Sequence, residues 1–154
     1  MSDTKNIWQE LQPLSRPAGI AVVGCSQKWG PGQQVIENLC QLGYQGKIFP
    51  INPKYDEIAG LRCYPSLTAV HDAGEQIDMV AILLGRAGIP DIIAEASSVG
   101  VRAAWAFAAG FAELDAEGKQ LERELVELCK RNNIRFLGPN CVGYLNPSVG
   151  VGTY

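Results

Sequence analysis

Ile20-Ala21-Val22-Val23-Gly24-Cys25-Ser26-Gln27-Lys28-Trp29-Gly30-Pro31-Gly32 joins a short apolar run to a glycine-rich turn. Helical periodicity follows over Gln33–Leu42, with Val35, Ile36, Leu39 and Leu42 on one face and Gly43 as a stop. A strand that runs through such a turn into a helix leaves backbone N–H groups at the helix N-terminus. Those groups and the helix dipole attract phosphate. Glycine at such a turn also serves plain packing of helix on strand, so the turn alone names no ligand. The spacing is Gly24, Gly30, Gly32 and not G-x-G-x-x-G, which makes the loop longer than the dinucleotide fingerprint.

The same alternation continues along the chain. Ile20–Val23, Lys47–Ile51, Leu61–Tyr64, Asp78–Leu84, Ala103–Phe107 and Arg135–Leu137 read as strands. Helices are expected near Ser66–His71, from Pro90 to Gly100, and from an Asp115 cap to Asn132. The unbroken apolar run Met79–Leu84 is what a strand covered on both faces looks like. The expected fold is therefore α/β: a Rossmann-like, doubly wound, mostly parallel sheet with helices on both faces. Ligands bind such sheets at the carboxyl ends of the strands. Residues 24–32, 52–54, 85–88, 108–113 and 138–143 all fall there. Trp105 is bulky for its strand and reads as core. Residues 1–19 form a lead-in, in which Ile7, Trp8, Leu11 and Leu14 have helical spacing before Arg16-Pro17 breaks it.

Bulk properties exclude several classes. At 154 residues one domain is the default, and 47% hydrophobic with 19% charged residues is no composition for a disordered chain. A net charge of −3 argues against nucleic acid as partner. No apolar run approaches the ~20 residues of a membrane span, and none follows Met1 as a signal core, so a cytoplasmic protein is expected. Cys25, Cys40, Cys63, Cys129 and Cys141 are odd in number, scattered and free of CxxC spacing, which fits reduced thiols. With His71 as the single histidine, no metal-ligand pattern appears.

The end of the second strand discriminates between nucleotides. An NAD site carries a carboxylate about 20 positions past the fingerprint, for the ribose hydroxyl. Counting from Gly32 lands on Asn52, with Lys54 two residues on and Asp56 and Glu57 later. A cation here suits a phosphate on the adenosine ribose, present in coenzyme A and in NADP. Lys28 adds a second donor beside the pyrophosphate position. Either lysine also reads as a solvated surface charge.

Five ordered motifs carry a resemblance. They are Arg16-Pro17 before Ile20–Ser26, then Gly46-Lys47-Ile48-Phe49-Pro50-Ile51-Asn52-Pro53-Lys54-Tyr55, then Gly60-Leu61-Arg62-Cys63-Tyr64-Pro65-Ser66-Leu67. Ala109-Gly110-Phe111-Ala112-Glu113 and Leu137-Gly138-Pro139-Asn140-Cys141-Val142-Gly143 complete them. Over roughly residues 15–147 the chain resembles the N-terminal CoA-binding domain of NDP-forming acyl-CoA synthetases, the group of ADP-forming acetate–CoA ligases related to the succinyl-CoA synthetase alpha subunit. The resemblance implies coenzyme A as ligand, held by Gly24, Cys25, Ser26, Gln27 and Lys28 around its phosphates. It implies Lys54 at the adenosine phosphate, Phe107, Ala109 and Gly110 along the pantetheine arm, Asn140 in the loop near the thiol, and Asn52 and Leu84 as further coenzyme A contacts. Leu84-Gly85-Arg86-Ala87 departs from the Val-Pro-Ala turn common in relatives, with Arg86 either a phosphate contact or solvated.

In that family an acid, CoA and ATP give acyl-CoA, ADP and phosphate through a phosphohistidine in a second domain, with a grasp-type domain for the nucleotide. Neither is expected here, and His71 lies outside the motifs. Cys141 has no histidine in its motif to activate it, and Glu113 reads as a loop acid. No catalytic residue and no metal is assigned. The partners implied are CoA and further domains or subunits of a synthetase, with self-association left open. Residues 20–147 would be the binding domain and 148–154 the start of a linker. Alternatives are a free-standing CoA-binding or regulatory module, part of a protein acetyltransferase, or an NAD(P)-binding redox domain.

Overall fold

The computed structural model describes the backbone of residues 3–153 and the side chains of residues 7–153. Met1, Ser2 and Tyr154, which belong to the expected lead-in and linker, lie outside the described residues.

Five strands form one parallel sheet: β1 (Gly19–Val23), β2 (Lys47–Ile51), β5 (Met79–Ile82), β6 (Ala103–Ala106) and β7 (Arg135–Leu137), in the order β2-β1-β5-β6-β7. Val23 lies opposite Ile51 on one side and Ile82 on the other, so three strand ends finish level. Every residue of β1, β5 and β6 is buried, because both faces are covered.

The period of two divides the core into two layers. Ala21, Val23, Val80, Ile82 and Ala104 face α3 (Leu67–Asp72), α4 (Ile89–Ser98) and α5 (Ala116–Arg131). Ile20, Val22, Met79, Ala81 and Trp105 face the other way, toward α2 (Pro31–Gln41) and Leu14 of α1 (Asp3–Ser15). Trp105 is fully buried there, in keeping with its reading as core. Local chemistry accounts for the helix ends. Pro31 opens α2, and the Asp115 carboxylate accepts from Gly118 N at 2.8 Å to cap α5.

Three elements differ from expectation. The third strand shrinks to one residue: Tyr64 bridges Ile51 in parallel, donating to Pro50 O at 2.9 Å and accepting from Asn52 N at 2.9 Å. Pro50 has no N–H to carry that outer ladder further upstream. Leu61–Arg62 instead forms β4, paired with β3 (Glu57–Ile58) across Ala59 and Gly60, whose φ values of 52° and 75° suit a two-residue hairpin. On α1, Ile7 and Trp8 point outward, 52% and 71% exposed; of the four residues read as one packing face, Leu11 and Leu14 are the partly buried ones. Residues 145–153 fold back as β8 (Leu145–Asn146), a 3-10 turn (Pro147–Val149) and β9 (Val151–Gly152), with Val151 fully buried in the second layer. Counting Tyr64 as strand three, the order becomes 3-2-1-4-5-6, and it reverses between β1 and β5.

Candidate functional site

The site grows from two close backbone approaches. At the end of β1 the chain turns at Gly24, φ +90°, where a Cβ would stand 2.3 Å from Leu83 O. Eight residues on, in the first turn of α2, a Cβ on Gly32 would stand 2.5 Å from Cys25 Cα. Helix and strand therefore meet as backbone on backbone, and the loop between them is thrown outward over the strand ends. Gly30 supplies no side-chain cap to α2, and Pro31 has no N–H. The first-turn N–H groups thus remain an open seat for an anion.

Cys25 is inside this turn. Its thiol donates to Val22 O at 3.1 Å, and burial pushes its pKa up to about 11, so it stays a neutral thiol. Only its backbone faces the loop chemistry. Ser26 Oγ donates to Lys28 O at 3.1 Å and tightens the loop. Gln27 Nε2 donates to Glu57 O at 3.3 Å, which ties the loop to the β3–β4 hairpin. Lys28 and Trp29 are exposed at its tip.

Across from it, the Asn52 side chain is held at both ends: Nδ2 donates to Cys25 O at 2.7 Å and Oδ1 accepts from Lys54 N at 2.9 Å. It fixes the loop and the turn after β2 in one arrangement. Lys54 is exposed and makes no ion pair among the described residues.

A second cluster covers the ends of β5, β6 and β7. Leu84 packs beside Gly24. Phe107 bridges Asn140, and Ala108 N donates to Pro139 O at 3.0 Å. The Glu113 carboxylate accepts from Gly110 N at 2.7 Å and from Asn140 Nδ2 at 3.3 Å. Backbone N–H groups, its own first and then that of Gly110, hold its carboxyl below the ordinary glutamate range. Ala109 stands exposed at the turn. Arg86 donates from Nη1 to Gly110 O at 2.6 Å, joining this turn to the one after β5.

The structure thus places Gly24, Cys25, Ser26, Gln27, Lys28, Asn52 and Lys54 around one rim, and Phe107, Gly110 and Asn140 along its continuation, with Leu84 between. It does not bring His71, exposed on α3, to Cys141, whose sulfur accepts from Gly143 N at 3.3 Å. The parts least legible in the sequence were the ties. The signal for Glu113 was its place three residues after Gly110, within reach of that N–H. Nothing local announced Arg86 and Gly110, which are 24 positions apart. No group of three or more His, Cys, Asp and Glu among the described residues is arranged to hold a metal. No helix among them is long and apolar enough to cross a membrane.

An uncapped helix N-terminus at the point where strand order reverses defines a Rossmann-like nucleotide-binding domain. Comparison with known proteins narrows this: residues 18–147 match the family model described as CoA binding domain, and the chain belongs to that family. It is 37% identical over 142 residues to acetate–CoA ligase [ADP-forming] II of Archaeoglobus fulgidus, covering 92% of this chain and 21% of that protein. It is 38% identical over 143 residues to acetate–CoA ligase [ADP-forming] of Methanocaldococcus jannaschii, covering 92% and 19%. The structure superposes with a TM-score of 0.85, at 35% identity, on dinucleotide forming acetyl-coenzyme A synthetase 1 of Ca. Korarchaeum cryptofilum in complex with phosphate and ADP, covering 93% of this chain and 30% of that one. The chain spans about a fifth of the length of these two curated relatives.

Proposed function

We propose that this chain holds coenzyme A for an NDP-forming acyl-CoA synthetase, whose overall reaction converts an acid, CoA and ATP to acyl-CoA, ADP and phosphate. The CoA diphosphate lies at the N-terminus of α2, against the Gly24–Lys28 loop. Lys54 meets the phosphate on the adenosine ribose. Leu84, Phe107, Ala109 and Gly110 flank the pantetheine arm as it runs toward the Asn140 loop. CoA enters as a substrate of the whole enzyme, and this chain's part is to bind and orient it. Phosphoryl transfer falls to domains or subunits beyond residues 1–154, since His71 stands away from the rim.

The observation that carries this reading is the pairing of an α2 without a side-chain cap with a Lys54 that makes no ion pair among the described residues. An amide, Asn52, occupies the place where a dinucleotide site puts a carboxylate. A buried acceptor, Gln33 Oε1 in the first turn of α2, lacks a partner among the described residues. It calls for a donor, and coenzyme A offers hydroxyl and amide donors as well as phosphates. The setting we propose is cytoplasmic, consistent with five free cysteines.

Calorimetric titration tests the assignment. A lysine near a phosphate at a solvent-exposed site gains roughly tenfold in affinity. Lys54→Ala should weaken CoA binding by about that factor, and should leave dephospho-CoA binding almost unchanged. NADH binding more tightly than CoA would refute the proposal.

A further inference from the structure

An apolar cavity lies away from the phosphate loop. It is a groove of about 390 Å³ between α4 and α5, floored by Pro90, Phe111, Leu121, Leu125 and Leu128. That volume falls within the roughly 300–1,000 Å³ usual for small-molecule sites. Two guanidinium groups line it, those of Arg86 and Arg131. Arg86 spends one nitrogen on Gly110 O, which leaves further N–H donors of its fork. Neither arginine has a carboxylate oxygen within salt-bridge distance among the described residues, although the charge of Arg131 reaches Glu127 one turn back and helps Lys130 hold that carboxyl below its ordinary range. The groove has a single acid, Glu124, whose Oε1 accepts from Gln120 Nε2 at 2.9 Å.

Apolar walls with cations select a particular chemistry. A neutral apolar ligand would leave the guanidiniums unused. A polar anion would leave the partly exposed Leu121 and Leu128 facing water. An apolar tail ending in a carboxylate satisfies both, since arginine matches carboxylate geometry with two parallel hydrogen bonds. We propose that the α4–α5 groove binds an amphipathic monocarboxylate, its tail along α5 and its head on a guanidinium. The groove adjoins the far end of the coenzyme A rim, and the proposal does not depend on that assignment. Arg86 connects the two, because the residue that lines the groove also holds the Gly110 turn.

The test is a titration of the 154-residue chain with hexanoate, octanoate and octylammonium, followed by calorimetry and by methyl NMR. Octanoate should bind one to one, roughly tenfold tighter than hexanoate, because two further methylenes are buried. Its shifts should centre on the methyls of Leu121, Leu125 and Leu128. Arg131→Gln, at an exposed position, should weaken octanoate at least severalfold. Ala87→Phe, which adds bulk at the exposed rim, should abolish binding while circular dichroism stays unchanged. Octylammonium binding as well as octanoate, or shifts spread away from α5, would overturn the proposal. So would an Ala87→Phe variant that binds octanoate like the parent chain.

Discussion

Replacing Gly32 with alanine tests the central geometric claim, that α2 meets β1 with no room for a side chain. The added Cβ would lie 2.5 Å from Cys25 Cα, 2.8 Å from Cys25 Cβ and 2.9 Å from Cys25 N. All three atoms belong to a fully buried residue, and two of them are backbone, so no rotamer change relieves the clash. Overpacking of this kind costs ~1–3 kcal/mol, and immovable backbone puts it near the top of the range. Alanine also favours helix over glycine by at most ~1 kcal/mol, which opposes the loss. The net is about 2 kcal/mol of destabilisation, or roughly 4–8 °C in melting temperature for a chain of this size. Gly30→Ala is the control. Its Cβ would meet only Lys28 O, at 3.9 Å, and its φ of 177° is ordinary extended backbone. It should cost about 1 kcal/mol or less. Thermal denaturation followed by circular dichroism, with CoA calorimetry on the same samples, measures both. The Gly32 variant should also lose CoA affinity, since the loop must move with Cys25. Equal melting temperatures for the two variants would refute the packing argument.

Other outcomes follow from the same contacts. Asp115→Ala removes the cap on α5 and should lower stability by ~1 kcal/mol, read as a 2–4 °C drop in melting temperature, with CoA binding retained. Cys25 and Cys129 each have a thiol pKa raised from 9.0 to about 11 by burial. The folded state then keeps protons that the unfolded chain has lost, so stability is full below pH 9 and declines as pH rises toward 11. Urea midpoints between pH 8 and pH 11 should show that fall, and brief alkylation at pH 8 should mark exposed Cys40 before either buried thiol. The Glu113 carboxyl is shifted the opposite way. Its contribution is present above the ordinary value of 4.5 and lost as pH falls through the lower folded value. Glu113→Gln should therefore flatten the acid limb of stability below about pH 4.5, and an unchanged limb would count against its tie to Gly110 and Asn140.

Several features could be read before any coordinate. The alternation of apolar runs with 3.6-period segments specified α/β. The fully apolar Met79–Ile82 announced a strand buried on both faces. Pro90, Gly43 and Asp115 marked helix ends through effects confined to one or two turns of chain. The Gly24 turn and the Lys54 cation could be read as well, because turn chemistry and residue type are local properties.

What the sequence could not decide was set by partners far along the chain. The third strand failed because Pro50, on the neighbouring strand, offers no N–H to extend its ladder. Asn52 was legible as a polar residue at a strand end, and only the folded chain joins its amide to Cys25 O and Lys54 N. Arg86 was legible as a cation, and only packing aimed it at Gly110 and along the groove beside α5. Propensity and periodicity act over a few residues and survive in the linear text. Register, clamps between loops and cavities between helices depend on contacts separated by tens of residues, which exist only once the sheet has assembled.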